Sequence, residues 1–102
     1  MNHVTASPKE LQSFRVALGA EIREQRGVMA ASQGRLAHAA RVTQACISNY
    51  ENGKRDMPLS VALAIATVLF PHADFARASL AVLLERAERR LERGHPADRS
   101  AA

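Results

Sequence analysis

Residues 32–53 read SQGRLAHAARVTQACISNYENG, and this stretch carries two short helical patterns separated by a tight turn. Ser32 and Thr43 are residue types that begin helices, because a side-chain hydroxyl can accept a hydrogen bond from a free backbone N–H group. Apolar residues recur at helical spacing after each of them. Gly53 is suited to end the second pattern, since glycine readily adopts a positive φ. The stretch therefore predicts two helices joined by a turn at residues 41–42.

Three further helices are predicted on either side of this stretch. Ser7, Pro8 and Glu10 form a helix start, with a cap, a proline in the first turn and a capping-box glutamate. Ser60 is expected to cap a fourth helix, and residues 70–72 separate it from a long fifth one. The predicted helices cover about residues 8–28, 32–40, 43–52, 60–69 and 74–93. No run of alternating β-branched and polar residues predicts a strand, so the expected fold class is all-α.

The composition fits one small helical domain. The chain has 102 residues, 47% of them hydrophobic but only 4% aromatic, and a formal net charge of +4. A single cysteine excludes an internal disulfide, and no apolar run is long enough to cross a bilayer. We therefore expect a cytoplasmic protein without a signal peptide or membrane contact. The positive charge permits a polyanionic partner, although an arginine-rich composition can equally reflect a GC-rich genome.

The second helix of the central stretch has a polar face suited to DNA. Two short helices joined by a tight turn are the pattern of a helix-turn-helix. Ile47 and Tyr50 would attach the second helix to the core by a narrow apolar edge. The other face can meet base edges in the major groove, because Gln and Asn bond bidentately to adenine and an alanine methyl packs on thymine. The residues predicted to contact bases are Gln44, Ala45, Ser48 and Asn49.

Residues around this face are predicted to contact the DNA backbone. Lys54 and Arg55 follow Gly53, where the chain turns back along the phosphates. Asn52 lies beside them. Gln33 begins the preceding helix and can place its amide on a flanking phosphate, next to the positive end of the helix dipole.

The pattern as a whole resembles the phage Cro/repressor-like family of regulators, often called the xenobiotic-response-element type. The resemblance covers roughly residues 14–70. It rests on Leu18-Gly19, Ile22-Arg23, Arg26, Ser32-Gln33, Leu36-Ala37, Val42-Thr43-Gln44, Ile47-Ser48, Glu51-Asn52-Gly53-Lys54-Arg55, Pro58, Leu63, Ile65-Ala66 and Leu69. It implies a five-helix bundle that binds double-stranded operator DNA, usually as a homodimer on a palindrome.

The resemblance also implies roles for single residues. Gln44, Ala45 and Asn49 would read bases, and Gln33, Thr43, Asn52 and Arg55 would lie near the backbone or the groove edge. Two departures from the family stand out. Residues 30–31 are Ala-Ala where a glycine and a leucine are usual, which predicts a longer first helix and a thinner local core. Arg41 replaces the usual turn glycine and is either tolerated there or an additional phosphate contact.

A stripe on the fifth helix is the candidate dimer contact. Its members, spaced by four, three and four residues as in a coiled-coil seam, are Leu80, Leu84, Ala87 and Leu91. Such a stripe either packs on its own core or meets a second copy. We expect the early part of the helix, with Phe75 and Leu80, to pack on the core of its own subunit and the later part to contact a second copy. The predicted division is a flexible N-terminus (1–6), a DNA-binding domain (7–70), a packing and dimerisation helix (71–93) and a flexible tail (94–102).

The remaining residues that could carry chemistry are expected to have structural roles and not catalytic or metal-binding ones. Glu51 is expected to form an ion pair, with Arg23 and Arg26 as candidate partners. Cys46 is expected to be a half-buried packing residue; a redox sensor is the alternative, but no residue nearby in the sequence obviously lowers the pKa of its thiol. The four histidines show no metal-ligand spacing with Cys46. No nucleophile, base and acid can be placed together, so we expect neither an enzyme nor a cofactor.

The sequence therefore predicts a sequence-specific DNA-binding transcriptional regulator, a repressor that binds a palindromic operator as a homodimer. Phage immunity repressors and restriction–modification controllers fit the same resemblance. The alternative is an antitoxin or another protein-interaction module built on the same fold. Its sequence sign would be a partner-binding tail, and residues 94–102 are short and weakly patterned.

Overall fold

The computed structural model describes residues 5–94, which form five α-helices and no strand. The helices are α1 (Pro8–Met29), α2 (Gln33–Ala40), α3 (Gln44–Glu51), α4 (Leu59–Leu69) and α5 (Ala76–Glu92). The predicted all-α fold class is confirmed. None of these helices is both long and apolar enough to cross a membrane. The predicted flexible ends fall mostly on residues 1–4 and 95–102, which lie outside the described residues.

Side-chain caps explain where the first three helices begin. The Ser7 hydroxyl accepts from the Glu10 backbone N–H at 3.1 Å, and the Glu10 carboxylate accepts from the Ser7 N–H at 2.9 Å, which completes the predicted capping box. Ser32 and Thr43 accept from backbone N–H groups in the same way, at 3.0 and 3.2 Å. Each cap is worth about 1 kcal/mol of helix stability. These three predicted starts are confirmed.

The predicted starts of the last two helices are wrong by one or two residues. α4 begins at Leu59, directly after Pro58, and Ser60 lies inside its first turn without capping it. Pro58 has φ −58° and ψ 145°, so its ring already sets the backbone that leads into the helix. α5 begins at Ala76 and not at Asp74, because the chain is still extended at Phe75.

α1 and α2 end on residues in the left-handed conformation. Ala30 has φ 54° and Arg41 has φ 57°, and the backbone N–H of each closes the preceding helix. α1 reaches Met29, one residue beyond its predicted end. The left-handed conformation costs a residue with a Cβ roughly 1–2 kcal/mol relative to glycine. The turn between α2 and α3 therefore has the geometry that suits glycine, although Arg41 occupies it.

Arg41→Gly is expected to stabilise the protein by about 1 kcal/mol, because it removes the strain of a left-handed arginine. Ala39→Gly is the matched control, since Ala39 is exposed within α2 and its replacement should cost about 0.5–1 kcal/mol. Urea denaturation followed by circular dichroism measures both changes. Equal destabilisation by the two substitutions would show that the turn does not favour glycine at position 41.

The core lies where all five helices meet. Its six largest fully buried side chains are Ile22, Leu36, Ile47, Ile65, Leu69 and Leu83. α1 packs on α3, α4 and α5, α2 packs on α3 and α4, and α4 packs on α5. Phe75 was expected to join this core, but the residue is 50% exposed and its ring lies against the guanidinium of Arg77. It stands before the first turn of α5, outside the stripe that faces α1 and α4.

Candidate nucleic-acid interface

α3 is attached to the bundle by one edge and presents its N-terminal turn to solvent. Ile47 and Tyr50 are buried, as the narrow apolar edge predicts. Gln44 and Ala45 are exposed at the start of the helix. Ser48 and Asn49, one turn further along, are half-buried. The face predicted to read bases is therefore open at its N-terminal end and partly covered further along.

The surface around α3 is basic. Residues 32–55 contain a single acid, Glu51, which is buried. Arg41 lies exposed before the helix, and Lys54 and Arg55 lie exposed after it. Thr43 and Asn52 are also exposed, whereas Gln33 is half-buried. A strip of positive charge with no exposed acid in this segment favours a polyanionic partner at this surface.

Two glycines allow α3 to lie directly on α1. A Cβ on Gly19 would be 2.3 Å from the Tyr50 carbonyl oxygen and 2.6 Å from that of Glu51. Gly53 has φ +68°, and a Cβ there would be 2.9 Å from Val16 Cγ2. The Gln12 amide also donates to the Gly53 carbonyl at 3.2 Å. The contacts at Gly19 are with backbone atoms, which cannot rotate away as a side chain can, so the end of α3 is held firmly against α1.

The buried Glu51 carboxylate is the centre of a polar network. Arg26 Nε donates to Oε2 at 2.6 Å and Arg26 Nη2 donates to Oε1 at 3.1 Å, a bidentate pair. Arg26 Nη1 also donates to the Ala31 carbonyl at 3.1 Å. Arg23 is more distant, with Nε 3.8 Å from Glu51 Oε1. The predicted ion pair is confirmed, and Arg26 is its main partner.

Gln33 connects this network to the exposed turn of α3. Its Nε2 donates to Glu51 Oε1 at 2.9 Å. Its Oε1 accepts from Gln44 Nε2 at 3.4 Å. Gln33 was predicted to contact a phosphate, and the structure shows its amide hydrogen-bonded on both sides within the protein. Gln33, which was predicted to contact the DNA backbone, and Gln44, which was predicted to contact a base, are thus hydrogen-bonded to each other.

Asn52 is similarly engaged at the other end of α3. Its Oδ1 accepts from Arg23 Nη2 at 2.6 Å, and its Nδ2 donates to the Ser48 carbonyl at 2.9 Å. The Arg23 side chain is 57% exposed, so its guanidinium lies at the surface beside α3. Arg23 was predicted only as a candidate partner for Glu51. Its position three residues before Arg26, on the same face of α1, was the signal that could have placed it here.

Cys46 is half-buried, as expected, but the expectation about its pKa is wrong. A hydrogen bond with the Thr43 hydroxyl lowers the pKa of the Cys46 thiol, burial opposes this shift, and the positive charge of Arg55 adds to it. Arg55 Nη1 donates to Cys46 Sγ at 3.6 Å. The Thr43 contact follows from the predicted helix cap, three residues before Cys46, whereas the Arg55 contact does not follow from sequence spacing. Among residues 5–94, no group of His, Cys, Asp and Glu side chains could hold a metal ion.

The stripe proposed for dimerisation divides into buried and exposed members. Ala87 is completely buried, so this residue packs inside the subunit and is removed from the predicted contact set. Leu80 and Leu91 are half-buried, and Leu84 is 36% exposed. Leu84 borders two adjacent apolar cavities, one of about 200 Å³ that also includes Leu59 and one of about 470 Å³ that reaches Leu91. The later part of α5 thus offers an open apolar surface without Ala87.

Comparison with known proteins places the α2–α3 unit in a recognised domain type. A family model described as a helix-turn-helix domain matches residues 17–70, more than half of the chain. The match runs from the middle of α1 to the end of α4 and includes every residue predicted to contact DNA. No curated protein and no solved structure matches the chain.

Proposed function

The chain belongs to the helix-turn-helix domain family of Cro/repressor-like transcriptional regulators, and we propose that it represses transcription by binding a palindromic operator as a homodimer. The observation that carries the proposal is the position of Gln44 and Ala45. Both are exposed on the first turn of α3, while the opposite edge of the helix is fixed to the core. An exposed N-terminal turn of this kind is the part that enters the major groove in helix-turn-helix proteins.

Base reading is assigned to four residues on this helix. Gln44 would bond bidentately to adenine, and the Ala45 methyl would pack on a thymine methyl. Ser48 and Asn49 are less exposed and would contact the next bases along the groove. The two exposed residues should therefore account for more of the sequence preference than the two half-buried ones.

Phosphate contacts would supply most of the affinity. Arg41, Lys54 and Arg55 are exposed on both sides of α3, where the two DNA strands would pass. Arg23 joins this set because its guanidinium lies beside Asn52. Thr43 and Gln33 would lie at the groove edge. Neutralising several phosphates makes binding fall steeply with salt.

The exposed part of α5 is assigned to the homodimer. Leu59, which is 73% exposed, and Leu84 line the same cavity, whose lining is mostly apolar but includes Arg15, Arg55 and Asp56, and this surface would be covered by the same surface of a second copy. Two recognition helices about 34 Å apart would then enter successive major grooves on one face of the DNA. A dimer placed across a promoter would compete with RNA polymerase, so we assign repression as its effect. The site of action would be the cytoplasm.

Leu84→Glu is expected to weaken dimerisation at least tenfold, because a carboxylate buried in an apolar contact without a partner costs several kcal/mol. Val82→Glu is the matched control, since Val82 is 38% exposed and lies two residues away, on another face of α5. Sedimentation equilibrium over a range of concentrations gives both dissociation constants. A parent protein that is monomeric at every concentration, or equal weakening by both variants, would contradict this interface.

Gln44→Ala is expected to weaken operator binding by about 1–3 kcal/mol and to relax the preference at one base pair. The operator is first obtained by selecting bound fragments from random DNA, which also reports palindromy and half-site spacing. Fluorescence anisotropy then compares the selected site, single-base variants and scrambled DNA. Arg55→Ala serves as the phosphate-contact comparison, with similar losses on all sequences and a flatter salt dependence.

Two outcomes would count against this assignment. If Gln44→Ala binds every DNA as the parent does, Gln44 does not read a base. The second outcome is a selection that enriches no sequence, together with another protein that copurifies with the chain. That result would favour the antitoxin or protein-interaction reading of the same fold.

A further inference from the structure

A chain of three side chains leads from the core of the protein to the proposed DNA surface. Glu51 lies at the end of α3, Gln33 at the start of α2 and Gln44 at the start of α3. Gln33 Nε2 donates to Glu51 Oε1 at 2.9 Å, and Gln44 Nε2 donates to Gln33 Oε1 at 3.4 Å. The first member is buried and the last is exposed. The orientation of an exposed amide is thus linked to a buried charge.

The Glu51 carboxylate determines which end of the Gln33 amide faces inward. An ionised carboxylate only accepts hydrogen bonds, so Gln33 must present its NH₂ group to it. Arg26 donates two hydrogen bonds to the same carboxylate, one to each oxygen. The Glu51 side chain is 1% exposed, so its hydrogen-bond partners are protein groups, Gln33 among them. Gln33 is therefore held with its carbonyl oxygen directed outward.

The same reasoning applies one step further out. The outward carbonyl of Gln33 also only accepts, so Gln44 must turn its NH₂ group toward α2. An amide that bonds bidentately to adenine must offer its donor to N7 and its acceptor to the N6 amino group. Without such a constraint an exposed glutamine presents either end with similar ease. The network selects one of these two orientations of the Gln44 amide before the protein binds DNA.

We propose that Glu51 is a positioning residue for base recognition, whose buried carboxylate sets, through Gln33, the direction in which the Gln44 amide meets the DNA. This inference rests on the proposed function, since it assigns Gln44 to a base. Glu51 touches no DNA in this arrangement. Its effect is on the choice among bases at one position and not on the overall attraction to DNA.

Two variants test the proposal. Glu51→Gln replaces an acceptor with a group that can donate or accept, which allows Gln33 and then Gln44 to turn over. Gln33→Leu removes the link and leaves the Arg26–Glu51 pair in place, so it remains informative if Glu51→Gln does not fold. Ile65→Val, a core change in α4 away from the network, is the control for general loss of stability.

The DNA measurement is the preference of each folded variant for the base pair assigned to Gln44. Both network variants should lose about fivefold to tenfold of that preference, the worth of one hydrogen bond. For Glu51→Gln, which changes a residue that touches no DNA, the affinity for scrambled DNA and the salt dependence should stay within about twofold of the parent. Unchanged preference, or an equal loss on all sequences including scrambled DNA, would overturn the proposal.

A second measurement needs no DNA and separates this inference from the proposed function. In ¹H–¹⁵N spectra of the free protein, the side-chain NH₂ signals of Gln33 should be well separated and protected from exchange. Glu51→Gln should remove that protection, whereas Ile65→Val should not. If the parent shows no DNA preference but the protection is lost as expected, the network stands and the proposed function fails. If Gln33 is unprotected in the parent, the positioning role of Glu51 is wrong.

Discussion

Gly19→Ala is expected to destabilise the protein by about 3 kcal/mol, at the upper end of what overpacking of a core usually costs. The added Cβ would lie 2.3 Å from the Tyr50 carbonyl oxygen and 2.6 Å from that of Glu51. Both are backbone atoms, so relief requires α3 to move away from α1. A small domain is stable by only about 5–15 kcal/mol, so this is a large fraction of the total.

Gly27→Ala is the matched control for this substitution. Gly27 lies in the same helix, and a Cβ there would meet nothing within 4 Å. It should stabilise the protein by about 0.5–1 kcal/mol, as alanine usually does in a helix interior. Urea denaturation of both variants gives the difference. If the two substitutions shift the free energy of unfolding in the same direction by similar amounts, the close approach of α1 and α3 is not as the structure shows it.

Arg26→Met should cost about 3–5 kcal/mol of stability, because it leaves a buried carboxylate without its bidentate partner. The Arg26 and Glu51 side chains are 22% and 1% exposed. Arg23→Met is the control, since Arg23 is 3.8 Å from the same carboxylate and mostly exposed, and its loss should cost less than about 1 kcal/mol.

The double variant Arg26→Met/Glu51→Met tests whether the loss of stability in Arg26→Met comes from the buried carboxylate that is left without a partner. Replacing both partners of a buried pair with apolar groups is often close to neutral, so much of the loss should be recovered. Thermal and urea denaturation of the single and double variants complete the cycle. Strictly additive losses would mean that the two side chains do not interact in the folded protein.

The predictions that failed have two causes, one in the local backbone and one in the packing of the helices. Ser60 was expected to cap α4, but the fixed backbone of Pro58 starts the helix one residue earlier. The apolar pattern placed Phe75 in the core and Ala87 at a dimer surface. In the structure Phe75 is exposed and Ala87 is completely buried. A helical stripe tells which side of a helix is apolar, but not how far along it the neighbouring helices reach.

The amino-acid sequence by itself determined the helices and the outward face of α3, because caps, glycine stops and helical spacing act over three or four residues. Ser7, Ser32 and Thr43 begin helices where expected, and Gln44 is exposed where expected. The tertiary structure alone decided which polar groups on that face are already engaged. Glu51 and Gln33 meet across 18 positions of the chain, and only the packing of α1, α2 and α3 brings them within hydrogen-bond distance.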